Sequence, residues 1–121
     1  MTKPGIVAFA FGAPSVILSN VIIARIAVDK ARELAATICT QYHIFIDRSI
    51  PTTYVDPKAY TTLRVAREAV RFARIHNITE LWVVAAMPHL SRCVRDLRHA
   101  ISESGEYIMV RYCPEIEQFP V

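Results

Sequence analysis

His89 and Arg92 stand three residues apart, directly behind the apolar run Leu81–Ala86 and the pair Met87-Pro88. On the first turn of a helix, residues i and i+3 share a side, and the amides of that turn point the same way. Arginine offers a fork of donors that fits phosphate or carboxylate, and histidine can donate a hydrogen bond or move a proton near neutral pH. The pair reads as an anion site, with Arg92 as the binding group and His89 as the candidate catalytic residue. Spacing alone also allows a plainer arrangement, in which Arg92 pairs with Asp96 one turn on and His89 merely caps its helix.

Other polar residues fall where they could join that pair. Gly12-Ala13-Pro14-Ser15 follows another short apolar run, so Gly12, Ser15 and Ser19 could wrap an anion, or simply connect a strand to a helix. Thr40 and Gln41, and Thr61 and Thr62, offer uncharged donors, although capping explains the threonines equally well. Asp47 and Asp56 are loop carboxylates that could serve as a general base or as turn formers. The Gly12 segment is neither GxGxxG nor a phosphate-binding P-loop, and the chain has only three glycines, which argues against a dinucleotide of the usual kind and leaves the cofactor unknown. Cys39 with His43, and His89 with Cys93, have ligand spacing but do not add up to a four-ligand metal site. Neither a nucleophile elbow nor an HExxH segment is present.

These residues need elements to hold them. Ile6–Phe11, bounded by Gly5 and Gly12, reads as a buried strand. A helix follows to about Ala35, with Ser19 or Asn20 as its N-cap. Ala36–Gln41 reads as the second strand, which His43–Ile46 could extend or accompany at an edge, and Asp47–Tyr60 as a loop broken by Pro51 and Pro57. A second helix starts between Asp56 and Thr62 and runs to about His76. Leu81–Ala86 is the third strand. The helix behind it carries Leu90, Val94, Leu97 and Ile101 as an apolar stripe. Tyr107–Tyr112 is the fourth strand, and residues 113–121 form a tail that is either extended and docked or partly disordered.

This alternation predicts an α/β, three-layer Rossmann-like fold: a four-stranded, mostly parallel sheet in the order 2-1-3-4 with helices on both faces. Ligands in such sheets bind where the strand order reverses, which brings Gly12–Asn20 beside Ala86–Arg92. Residues 1–121 form a single domain. Apolar residues make up 53% of the chain and mean hydropathy is +0.28, which suits a sheet covered on both faces and a homo-oligomeric contact. A net charge of +3, with arginines spread along helices, reads as solvated faces rather than a nucleic-acid surface. Three widely spaced cysteines point to a reduced, cytoplasmic chain. Turn residues Gly12, Pro14, Ser15, Ser19 and Asn20 interrupt the apolar stretch 6–28, which argues against a signal peptide or membrane span.

Over residues 60–101 the chain resembles the YdcF-like (ElyC/SanA-type) domain family. Thr61-Thr62-Leu63-Arg64-Val65-Ala66 stands where that family has a small-Thr-x-Glu-Asn-Ala helix start, and His89-Leu90-Ser91-Arg92-Cys93 where it has His-Met-x-Arg-Ala. Gly12 corresponds more loosely to the family's first turn. Arg64 and Val65 replace the family's Glu and Asn, so the chain is similar to a shortened, divergent member. The resemblance implies a Rossmann-like fold and a pocket lined by Thr62, His89 and Arg92. The expectation for function is a domain binding an anionic, phosphate-bearing or nucleotide-like, small molecule at the carboxyl edge of the sheet, where any catalysis would be transfer or hydrolysis at phosphate. The alternative is a non-catalytic oligomeric interaction domain with a vestigial pocket.

Overall fold

The computed structural model describes residues 2–12, 17–59 and 61–118. Strand β1 (Pro4–Ala8) leads to helix α1 (Leu18–Leu34), strand β2 (Thr37–Thr40), strand β3 (Thr52–Tyr54) and helix α2 (Thr62–Ile75). Strand β4 (Glu80–Val84), helix α3 (Met87–Ser104), strand β5 (Met109–Tyr112) and a 3-10 turn (Pro114–Gln118) complete the chain. All five strands are parallel, in the order β3-β2-β1-β4-β5.

The α/β class and the reversal of strand order are those the sequence predicts, but the sheet has five strands rather than four. The additional strand, β3, lies inside the expected loop Asp47–Tyr60. It is three residues long and largely exposed, so its Thr-Thr-Tyr composition lacks the apolar run that marks the inner strands. Pro51 precedes it and takes part through its carbonyl, which accepts from the Ile38 amide at 3.0 Å. His43–Ile46 forms a turn rather than a strand, and buried Ile44, Ile46 and Ile50 anchor the connection into the core.

Central strand β1 explains the apolar composition. Ile6, Val7 and Ala8 have no exposed surface, since β2 and β4 flank them and helices cover both faces. Right-handed crossovers put α1 on one face, and α2 and α3 together on the other. Gly5 admits the close approach of Ile78, since a Cβ there would lie 2.6 Å from Ile78 Cδ1. Gly5→Ala is therefore expected to overpack this contact and cost about 1–3 kcal/mol, read as a lower midpoint in chemical denaturation with an unchanged slope.

In α3 the buried line is Leu90, Cys93, Leu97 and Ala100, with Val94 and Ile101 half-buried beside it. The arginines of α2 do form a solvated face, and two of them reach across to neighbouring chain: Arg67 to Glu103 of α3 at 2.6 Å and Arg74 to Glu106, just past the end of α3, at 2.7 Å.

Of the two courses open to the tail, docked or disordered, the described part is docked through Ile116 and takes a 3-10 turn in place of an extended course. Cys113 and Ile116 are fully buried, and the Cys113 amide donates to the Val83 carbonyl at 3.2 Å. Beside it, buried Glu80 accepts from Trp82 Nε1 at 2.7 Å and Arg111 Nε at 2.8 Å. The Arg111 guanidinium holds the Glu80 carboxyl below its usual range against the opposing effect of burial. Lys30 packs 4.9 Å from the Trp82 ring centroid and pairs with Glu33 and Glu115. This cluster lies toward the amino end of β4, the end opposite the site. Among the described residues, no helix is long and apolar enough to cross a membrane.

Candidate functional site

The carboxyl end of β1 runs between two neighbours that satisfy its last amides with side chains. Gln41, just past β2, accepts from the Ala10 amide through Oε1 at 2.8 Å. Asn20 in α1 accepts from the Phe11 amide at 2.8 Å and donates to the Gly12 carbonyl at 2.9 Å. Gly12 has φ +76°, a left-handed conformation that suits glycine. The expected role of Asn20 as an N-cap is thus replaced by a clamp on the β1–α1 turn. The cap position belongs to Ile17, whose side chain makes no capping bond.

Across the reversal point, β4 ends at Val84 and α3 starts at Met87, with Pro88 in its first turn. The N-cap, Ala86, supplies no side-chain acceptor, and the first turn holds no acidic residue. His89 enters a cleft of about 590 Å³ together with Arg92. Its ring meets Phe11 edge-on at 6.1 Å between centroids, so the two connections that the strand order brings together do touch.

The same cleft is lined by Ala10, Gly12 and Gln41 from the β1 and β2 ends, and by Thr61 and Thr62 at the start of α2. Five of these expected residues therefore converge with His89 and Arg92: Gly12, Gln41, Thr61, Thr62 and, among the loop carboxylates, Asp56. Three do not. Thr40 is buried and donates its hydroxyl to the Ala8 carbonyl at 2.9 Å, so it fastens β2 to β1 instead of facing the cleft. Ser19 lies in the first turn of α1 and does not line the cleft. Asp47 is spent locally, accepting from the Ser49 amide at 2.8 Å and lying 4.0 Å from Arg32. Ser15 lies outside the described residues.

Two of the cleft threonines carry structural bonds as well. The Thr61 hydroxyl caps α2 by accepting from the Arg64 amide at 3.2 Å. Thr62 donates to Asp96, which also accepts from Arg95 at 3.3 Å. Asp96 is taken by Thr62 and Arg95, and among the described residues Arg92 has no carboxylate partner.

Arg92 brings a guanidinium to the α3 end of the cleft, and Asp56 a carboxylate to its other side. Burial, then the neighbouring Arg92 guanidinium, hold the His89 imidazole below its ordinary value, and Asp96 opposes them weakly. At neutral pH, His89 is therefore an uncharged donor and acceptor beside a permanent cation. By contrast, burial pushes the thiols of Cys39 and Cys93 up to about 12, so neither offers a thiolate to His43 or His89.

Tyr42 and His43 also line the cleft, and sequence reasoning did not assign them to an anion site. His43 entered only as a companion of Cys39. The signal that could have found them was the adjacency of two ring side chains immediately after a strand end, at the edge where ligands bind.

No protein-family model, curated protein or solved structure matches this chain.

Proposed function

We propose that the chain binds an anionic small molecule, phosphate-bearing or nucleotide-like, in the cleft at the carboxyl edge of the sheet. The observation that carries this reading is the Arg92 guanidinium, without a carboxylate partner among the described residues, beside the neutral His89 in one cleft. An exposed guanidinium on the lining of a concave site, with no carboxylate partner among the described residues, suits a bidentate oxyanion. His89 then donates to the same anion, Gln41 contributes its amide hydrogens, and Thr61, whose hydroxyl accepts from the Arg64 amide, keeps its own hydrogen to donate. Any catalysis at this site would be transfer or hydrolysis at phosphate with His89 moving the proton. Thr62, His89 and Arg92 are the residues that the YdcF-like resemblance implies, and their meeting in one cleft supports reading the chain as a divergent relative.

A charge-linkage experiment tests this. Sulfate is a suitable probe because its charge is constant across the neutral range. An anion beside His89 favours the imidazolium, so the His89 pKa rises on binding from its depressed value in the free protein. Affinity is then highest at low pH and falls as pH rises through the pKa of the complex, while Arg92 keeps its charge throughout. Calorimetric titration between about pH 5.5 and pH 8 is expected to show a several-fold loss of affinity, removed in His89→Gln. Absence of binding at millimolar sulfate and phosphate would refute the proposal.

A self-associating interaction domain is the second reading, and α1 favours it. Leu18 and Val21 on its outer side are 65% and 50% exposed, and Phe45 beyond the same helix is 77% exposed. Static light scattering separates a monomer from a stable oligomer.

A further inference from the structure

We propose that the anion is a nucleoside phosphate whose base stacks on Tyr42 beside His43, at the β2 side of the cleft. The inference rests on the anion reading and deepens it.

Arg92 and His89 occupy one end of the cleft, and Gln41 reaches toward them across the end of β1, where its Oε1 accepts from the Ala10 amide. Arg92 and His89 belong to α3, which follows β4, whereas Tyr42 and His43 follow β2 on the other side of β1. Two strand spacings separate those ends, about 10 Å. A span of that order lies between the phosphate and the base of a nucleoside 5′-monophosphate. A cleft of about 590 Å³ is also far larger than one phosphate needs, and falls among sites for small organic ligands.

The chemistry of the far end suits a base and a sugar. The Tyr42 and His43 rings lie 4.0 Å apart between centroids at 33°, so His43 braces the tyrosine from one side. Tyr42 nevertheless remains 55% exposed within the cleft lining and offers a flat apolar surface there. Bases bind such platforms by their π faces. The His43 Nδ1 atom is buried and, among the described residues, has no hydrogen-bond partner. Asp56 lines the same end. One of its oxygens accepts from the Lys58 amide at 2.9 Å, which leaves the carboxylate with acceptor capacity for ribose hydroxyls. Val55, Pro57 and Ala59 supply an apolar wall.

Calorimetric titration of the full chain with inorganic phosphate, ribose 5-phosphate and adenosine 5′-monophosphate tests the proposal. Adenosine 5′-monophosphate is expected to bind about tenfold or more tightly than ribose 5-phosphate, from the added stacking. Tyr42→Ala should bring the two to equal affinity, while Tyr42→Phe, which keeps the ring, should preserve the difference. Thermal melting of both variants verifies that they are folded, as the exposure of Tyr42 predicts. Equal binding of the two ligands to the wild-type chain, or an adenosine 5′-monophosphate affinity indifferent to Tyr42→Ala, overturns the proposal. If ribose 5-phosphate binds and weakens in Arg92→Ala while the base adds nothing, the anion reading stands and the nucleoside inference falls. If no probe binds, both fall.

Discussion

Replacing Arg92 with alanine is expected to weaken phosphate or sulfate binding by roughly ten- to a hundredfold, with little change in folding stability. The binding loss follows from the chemistry of the group. A charged hydrogen-bonded contact contributes about 1.5–3 kcal/mol, more than a neutral one, and bidentate geometry adds to it. Stability is spared because Arg92 is exposed and, among the described residues, has no carboxylate partner whose charge its removal would strand. Arg98 is the matched control. It carries the same charge on the same helix, is exposed, and lies outside the cleft. Arg98→Ala should change affinity by no more than the screened long-range field, about twofold at physiological salt. Equal losses in both variants would mean that the chain attracts anions by general charge instead of by a site.

Asn20→Ala has the largest expected effect on stability among the polar residues of the site. Asn20 is 1% exposed and bonds both the Phe11 amide and the Gly12 carbonyl. Alanine leaves two backbone groups without those partners, at about 1–3 kcal/mol for each that stays buried, so a total near 2–4 kcal/mol is expected. Against a typical domain stability of about 5–15 kcal/mol that is a large fraction, and the melting temperature should drop by on the order of 10 °C. Asn20→Asp keeps an acceptor for the Phe11 amide but loses the donor to Gly12, and should cost less. The same clamp sets the position of Gly12 at the cleft, so anion affinity should fall in Asn20→Ala even well below its melting temperature. A variant that melts like the wild type would show that the turn holds its shape without the clamp.

The parts of this fold that were legible in the sequence are those governed by burial. Inner strands β1 and β4 read as apolar runs because a parallel sheet buries both of their faces, β2 reads from its β-branched residues, and the helices read from their periodic stripes. From that alternation came the reversal of strand order, and with it the meeting of Gly12 with His89. Strand β3 escaped because an edge strand needs no apolar run, and two threonines and a tyrosine between prolines look like a loop. For the tail, docking and disorder both stayed open because only Cys113 and Ile116 carry the contact, too few residues to show a period.

Within the site, charge and position were easier to foresee than hydrogen bonding. Arg92 and His89 stand where the strand-to-helix junction puts them. Whether Thr40 faces ligand or the neighbouring strand depends on a single rotamer, and its hydroxyl turns to the Ala8 carbonyl. Asn20 suited an N-cap by type, yet the helix starts two residues earlier and frees its side chain to hold the turn. Asp96 sits one turn from Arg92 on the same helix, but its partner Thr62 comes from α2, a tertiary contact that spacing along one helix does not reveal.

The central claim, that Arg92 and His89 form one anion receptor with the end of β2, is tested most directly by a heteronuclear NMR titration with inorganic phosphate. Saturable shifts are predicted at the Arg92 guanidinium, the His89 imidazole and the Gln41 side-chain amide, the three donors that share the cleft. Shifts confined to the arginine face of α2, or none at all at millimolar phosphate, would contradict it.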